Sequence, residues 1–526
     1  MSQALRTFIQ DVETELKPLH INETHAIWEA ATTGTPEANE RAKKSQAAVL
    51  RFWADMDRFT AAKQFLEEGM AEEPQDARQI QLIYLSAAKS QQDEETIDKT
   101  TQLEKEIRQA YTNYRAQIEG ESLSNNDLAK ILAKSDNSDK VHQAWEASKQ
   151  IGPEVAEIIR ELAKVRNQAA RKQGYRDFFQ KSLVLNEIEE DHLARLFLEL
   201  EEVTSEPFKQ LKAEIDHARA ERFGITEKEL YPWHYGDPFF QSPPEIYDLD
   251  MDEYFAEKNP TVIATITYDG IGIEVRDILE RSDLYPRPGK DQYAFSLDLD
   301  REGDIRTLNN LEPNHCWNTT LLHELGHAIY NKYIDRHLPW LLRIPSHSLS
   351  TEAVALLMGS LTNDRDWLSQ ILRVPEAQAD LIAQIAAARE RAGGLTFTRW
   401  CLVITNFERE FYADPEQDLN TLWWDLVEHF QFLHRPQGRN APDWASKIHI
   451  ALFPVYYQNY ELGHLMTAQL RFYLQQEVGG LVGKRQAGEW LVERVLRQGA
   501  KEDWAKHIET ATGEPLNMRY FVKTVM

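Results

Sequence analysis

Apolar residues recur along most of this chain at three- and four-residue spacing. Leu5, Phe8, Ile9, Val12 and Leu16 begin the series and mark one face of a helix. The pattern predicts successive long helices to about residue 230, with breaks near Thr32 to Pro36, Glu72 to Pro74 and Ile151 to Pro153. The charged run 91-QQDEETIDKTTQLEKEIRQ-109 reads as a solvated helix face. The stretch 231-YPWHYGDPFFQSPPEIYD-248 breaks the helical pattern with prolines and aromatics. Within 285-YPRPGKDQYAFSLDLDREGDIRTLNN-310, AFSLDL and DIRTL alternate around a turn at Arg301 to Gly303, which predicts a small β-structure. Helices resume at about 314 and continue to near the end, apart from loops such as 434-HRPQGRNAPDW-444. There is no internal repeat, and nothing marks a flexible linker. The expectation is a mainly α protein whose residues 1–526 form a single bilobed unit.

Composition narrows the partners. The 526 residues are long for one core, and 59 Lys+Arg against 85 Asp+Glu leave a net charge of −26. So acidic a surface argues against nucleic acid or an anionic membrane as partner. Two cysteines, Cys316 and Cys401, are too few for a disulfide framework and fit a reducing compartment. The N-terminus MSQALRTFIQDVETEL lacks a basic segment followed by an apolar run, and no apolar stretch approaches the roughly 20 residues that span a bilayer. A cytoplasmic protein is expected.

The chemistry concentrates in 319-TTLLHELGHAIY-330. Residues four apart share a helix face, so His323 and His327 can point two imidazoles at one metal ion. Glu324, rotated about the axis, is placed to work on a water molecule instead of binding the metal. Leu321, Leu322, Leu325, Ala328 and Ile329 predict an apolar, buried helix. Gly326 costs about 1 kcal/mol in mid-helix, which points to close approach by another backbone or by substrate. The competing reading is an ordinary amphipathic helix with two satisfied histidines. Cys316, seven residues before His323, is expected to be a small buried hydrophobe and not a ligand.

Catalytic zinc takes three protein ligands and keeps a fourth position open. Downstream, 344-IPSHSLSTEAVALLMGSL-361 offers two candidates for the third. Ser350 is placed to cap a helix whose early turn carries Glu352, 25 residues after His327. A carboxylate on so apolar a helix is costly unless it is paired or bound to a cation. Glu352 is therefore preferred to His347, the rival in the preceding loop.

HELGH followed by a helix-borne glutamate resembles the gluzincin metallopeptidases. The likeness is to the angiotensin-converting enzyme (peptidyl-dipeptidase) family, with kinship to the thimet oligopeptidase and oligoendopeptidase family. RNQAARKQGYRDFF (166–179) resembles an N-terminal-half signature of these peptidases, GDIRTLNN (303–310) their substrate-lining strand, and KIHIALFPVYYQNYELG (447–463) their C-terminal His/Tyr motif. The likeness runs from about 160 to 465. Lys447-Ile448-His449 matches a Lys-x-His pair of the converting-enzyme branch, and YPWHYGDPFFQ, aligned on Gly236, gives Gln241.

This resemblance implies a helical ellipsoid split by a deep central channel, with a small β-structure beside the zinc helix. Residues 1 to about 230 would supply a lid and one lobe wall, and about 231 to 465 the zinc and substrate site. It implies one Zn2+ on His323, His327 and Glu352, Glu324 as general base, and His449 and Tyr460 as donors to the oxyanion. Ala294 would bind substrate backbone, while Gln241, Lys447 and Tyr457 would hold a free C-terminal carboxylate. The implied substrates are short peptides, cut to release C-terminal dipeptides. Without the carboxylate clamp the same chemistry gives an oligoendopeptidase, and the alternative from another class is an inactive peptide-binding homologue. Three departures stand out. The chain is one residue longer between His449 and the tyrosines, so Tyr456 competes with Tyr457. Asn459 stands where a chloride-binding arginine falls. Tyr293 replaces the histidine before the substrate alanine.

Overall fold

Leu5, Ile9, Val12 and Leu16, the first apolar stripe of the sequence, are buried along the helix Gln3–Thr33, where they pack with Phe52, Ala62, Ile80, Ile83, Trp340 and Leu341. The computed structural model describes residues 3–247 and 249–525. Helices dominate, and the described residues form two antiparallel hairpins, β1–β2 (Ala116–Ile118 and Glu121–Leu123) and β3–β4 (Phe295–Asp298 and Ile305–Leu308). Among the described residues, no helix is long and apolar enough to cross a membrane.

The chain folds as two compact units, each assembled from separated segments. One comprises Met1–Gln91, Leu249–Ala387 and Leu462–Phe521; the other comprises Gln92–Asp248, Ala388–Glu461 and Val522–Met526. The first passage from one to the other falls at Gln91, within the stretch that reads in sequence as a single succession of helices.

In the first unit, β3 and β4 pair in the register Phe295↔Leu308 to Asp298↔Ile305, which is the predicted hairpin. Asp300 closes its turn by accepting from the N–H groups of Glu302, Gly303 and Asp304 at 2.7 to 3.1 Å, with Arg301 in the left-handed region at φ 59°. Trp28, Leu299 and Leu308 cluster beneath it, with Phe295 and Leu297 packed against them.

In the second unit, the helix Glu94–Asn113 carries the charged run. It buries only Thr96, Ile107 and Tyr111, as a solvated face requires. The signature stretch 166–179 acts as a fastener. Arg166 donates to Tyr412 Oη at 3.2 Å and pairs with Glu104 at 2.8 Å, while the Asn167 amide donates to the Tyr412 carbonyl at 2.7 Å.

The expected break at Ile151 to Pro153 falls just before it, at Gln150. The helix Ser138–Lys149 hands over at Gln150 to Ile151–Lys172, because proline in a first helical turn has no intrahelical N–H bond to lose. The hairpin β1–β2 was not anticipated. Its strands are three residues long, and its reversal uses Glu119 and Gly120, both with positive φ.

Candidate active site

Asn314 caps the helix His315–Tyr333, accepting from the Trp317 N–H at 2.8 Å. Leu321, Leu322, Leu325, Ala328 and Ile329 are buried, as their spacing predicts, and fix the helix in the first unit. His323 and His327 share a face, with ring centroids 4.9 Å apart. The helix Ser348–Gly359 brings Glu352 to them. His323 Nε2 lies 3.7 Å from one carboxylate oxygen and His327 Nε2 3.5 Å from the other. Ligand atoms of the three side chains all lie within 4.8 Å of one another, and no other such group of three occurs among the described residues.

The donor set fits zinc. Nitrogen and oxygen ligands roughly 2.0–2.2 Å from a tetrahedral ion stand roughly 3.3–3.6 Å from each other. Burial holds His323 down to about 4, and burial together with His323 holds His327 down to about 3, so both rings are neutral near pH 7 with lone pairs to donate. Burial raises Glu352, and burial followed by the Glu352 charge pushes Glu324 up to about 8. A buried carboxyl beside a half-buried one is unfavourable without a cation, and a divalent ion would reverse that balance. Glu324 is 7% exposed, and its Oε2 has no hydrogen-bond partner among the described residues. A buried orphan oxygen calls for a ligand or substrate to satisfy it.

Thr351, which no sequence motif marks, orients His327. Its hydroxyl lies 2.8 Å from His327 Nδ1, which leaves Nε2 toward Glu352. Its one signal in the sequence is its place beside Glu352.

His347 has another task. It is the N-cap of the Glu352 helix, its Nδ1 accepting from the Leu349 N–H at 3.1 Å. The expected cap, Ser350, is instead the third helical residue, and its hydroxyl accepts from the His347 N–H at 3.0 Å. Cys316 is exposed and outside the metal group, which corrects the expectation of a buried hydrophobe; its position in the first turn of the helix puts its side chain in solvent. Cys401 is buried.

Close packing shows why the His323–His327 helix tolerates glycine at Gly326. A Cβ there would stand 2.6 Å from Ala355 Cα and 3.2 Å from Ala355 N, so backbone meets backbone where the helices of His323 and of Glu352 pack together. A Gly326→Ala protein is expected to be destabilised by about 1–3 kcal/mol despite its better helix propensity. Urea unfolding measures this, and an unchanged midpoint would refute the close contact.

Ala294 stands immediately before β3, half-buried, and Tyr293 beside it is 82% exposed. Among the described residues, no strand pairs with the outer edge of β3.

The other predicted residues lie in the second unit. Lys447 Nζ donates to Gln241 Oε1 at 2.7 Å, so two residues distant in sequence form a pair. Phe239 and Trp400 rings lie 5.2 Å from the ammonium and Tyr457 5.5 Å from it. Burial pushes Lys447 down to about 8. Tyr457 is 5% exposed and packs on Trp400 and His449, whereas Tyr456 is 39% exposed; the enclosure therefore favours Tyr457 at the lysine. His449 is held near 4 by burial and by Lys447, and its Nδ1 has no hydrogen-bond partner among the described residues. The Tyr460 ring lies 5.6 Å from Tyr457 and 5.1 Å from Tyr456. The extra residue before the tyrosines falls in a segment where Val455 adopts φ 54°, its N–H held by Glu408 Oε1 at 2.8 Å.

Comparison with known proteins places these features in a family. Residues 1–223 match the model of angiotensin-converting enzyme. Carboxypeptidase 1 of Bacillus subtilis (strain 168) is 24% identical over 258 residues, which are 44% of this chain and 51% of that protein. The chain thus spans about half the length of the curated relative it matches. The model of peptidase family M3 matches residues 131–526, a span that includes His323, His327, Glu352 and the Gln241–Lys447 pair, and the chain belongs to that family.

Proposed function

We propose that this chain is a zinc-dependent peptidase of short, unstructured peptides that releases C-terminal dipeptides. The observation that carries the reading is the His323–His327–Glu352 group beside a buried Glu324 oxygen without a partner. The three ligands would hold one zinc ion, which when bound supplies a Lewis acid for water and the scissile carbonyl.

Glu324 takes the proton from the attacking water and delivers it to the leaving amine nitrogen. His449, kept neutral, has one ring N–H to give, and with Tyr460 it donates to the oxyanion of the tetrahedral intermediate. Loss of one such donor costs about 10² to 10³ in rate. The open edge of β3, with Ala294 at its start, pairs with substrate backbone by strand addition.

Lys447, Gln241 and Tyr457 bind the free carboxylate of the substrate. An ammonium that lacks an anionic hydrogen-bond partner among the described residues and lies in an aromatic enclosure suits a carboxylate. The name of the Bacillus relative, a carboxypeptidase, agrees with action at a carboxyl end. A second reading, internal cleavage as an oligoendopeptidase, draws on the family model that covers the site, since the converting-enzyme match ends at residue 223 and so excludes Gln241 and Lys447.

Mass spectrometry of an unstructured decapeptide separates the two. The zinc-loaded protein is expected to release dipeptides from the free peptide and few from its C-terminal amide, with Glu324→Ala as blank. Equal internal cleavage of both forms would replace the dipeptidase reading with the second.

A further inference from the structure

Gln241 meets Lys447 only because the chain before it is held in an unfavourable shape. Gly236 has φ 90° and Phe240 has φ 48°, the latter a left-handed conformation that costs a phenylalanine about 1–3 kcal/mol. Such strain persists only where the surroundings over-determine it. Asp237 supplies part of the hold, accepting from the N–H groups of Phe239 at 2.7 Å, Gln241 at 3.1 Å and Ser242 at 3.2 Å. Gln431 supplies more, its amide donating to the Phe239 carbonyl at 3.0 Å and the Phe240 carbonyl at 2.8 Å.

The remaining hold is Lys149, at the end of the helix Ser138–Lys149 and 3% exposed. A lysine is rarely buried so fully without a carboxylate on its ammonium. Its hydrogen bond runs instead to the Pro238 carbonyl at 2.8 Å, shared with the Trp145 indole N–H at 3.2 Å. The same ammonium sits 3.5 Å from the centroid of Phe239, the ring that also lies 5.2 Å from Lys447 Nζ. Lys149 thus grips Pro238 by its backbone and Phe239 by its face, three and two residues before Gln241. Asp443, which could have neutralised it, is engaged by Arg439 at 2.5 and 2.7 Å.

We infer that Lys149 is a positioning residue for the carboxylate clamp, fixing the Gly236–Gln241 turn so that Gln241 meets Lys447. The inference rests on the clamp reading above. Its role is indirect: Lys149 need not touch substrate, and its loss frees the turn and spreads Gln241 over positions that no longer share an anion with Lys447.

The test is calorimetric binding of one decapeptide, with a free or an amidated C-terminus, to the zinc-loaded Glu324→Gln chain, which holds the peptide uncut. Without further change, the free form is expected to bind more tightly. Adding Lys149→Met is expected to weaken binding of the free form about tenfold, the scale of one hydrogen bond to a charged group, and to leave the amide nearly where it was. General loosening would weaken both forms alike, so the free-to-amide ratio isolates positioning. A folded Lys149→Met protein that keeps the ratio overturns this inference and leaves the clamp standing. A Glu324→Gln chain that binds both forms equally overturns the clamp and this inference with it. If Lys149→Met does not fold, Lys149→Gln, which keeps a polar end but is too short to hold both the Pro238 carbonyl and the Phe239 face, takes its place: a reduced ratio supports the inference and an unchanged one overturns it.

Discussion

A Glu324→Gln protein is expected to retain its zinc and to hydrolyse peptides about 10² to 10⁴ more slowly than the parent. Glutamine keeps the volume of the side chain in a site that is 7% exposed, so neither packing nor the two histidines should move. What it removes is the capacity to accept and return a proton. The Glu324 Oε2 is buried beside the half-buried His323–His327–Glu352 group, and no hydrogen-bond partner satisfies it among the described residues. Burial and Glu352 favour the protonated acid in the metal-free protein, and a bound divalent ion restores the carboxylate that general-base work requires. Chromatographic rates together with zinc content by mass spectrometry check the prediction. A variant with its zinc and within tenfold of parental rate would remove Glu324 from the mechanism.

Glu352→Ala is expected to abolish tight metal binding while the chain still folds. The carboxylate lies on a helix whose neighbours Ala353, Val354, Ala355, Leu357 and Met358 are buried, and burial raises its pKa. Alanine therefore relieves an electrostatic cost in the metal-free protein and deletes one of three ligands. Zinc at about 100 times its dissociation constant stabilises the parent by about 2.7 kcal/mol. Thermal unfolding with and without zinc should show a rise in midpoint for the parent and none for Glu352→Ala. Equal rises in both would place the metal elsewhere.

Much of the metal group is legible in the sequence because its logic is local. His323 and His327 are separated by one helical turn, and Glu352 is the one acid within an apolar helical run. The resemblance supplies the Gln241–Lys447 pair, which no periodicity could reveal, since 206 residues separate the partners. Details set by tertiary fit were not legible. Whether His347 or Ser350 caps a helix depends on the conformation of the loop before it. Cys316 lies one turn before the buried part of its helix, where burial gives way to solvent within a residue or two. The hairpin at 116–123 is too short for alternation to register. Which helices of the first 230 residues join which compact unit depends on long-range packing, on which the three- and four-residue pattern is silent. The converting-enzyme match lies in residues 1–223, while the family M3 match covers the His323–His327–Glu352 group.

The most direct test of the account is to strip the purified chain with a chelator, return zinc in steps, and follow cleavage of one unstructured peptide against bound metal. The metal-free protein is expected to show no cleavage, activity to rise to a limit at one zinc per chain, and Glu324→Ala to stay at least about 10² below the parent at any zinc level. Cleavage that persists in the metal-free protein, or that Glu324→Ala leaves within tenfold of the parental rate, would contradict this.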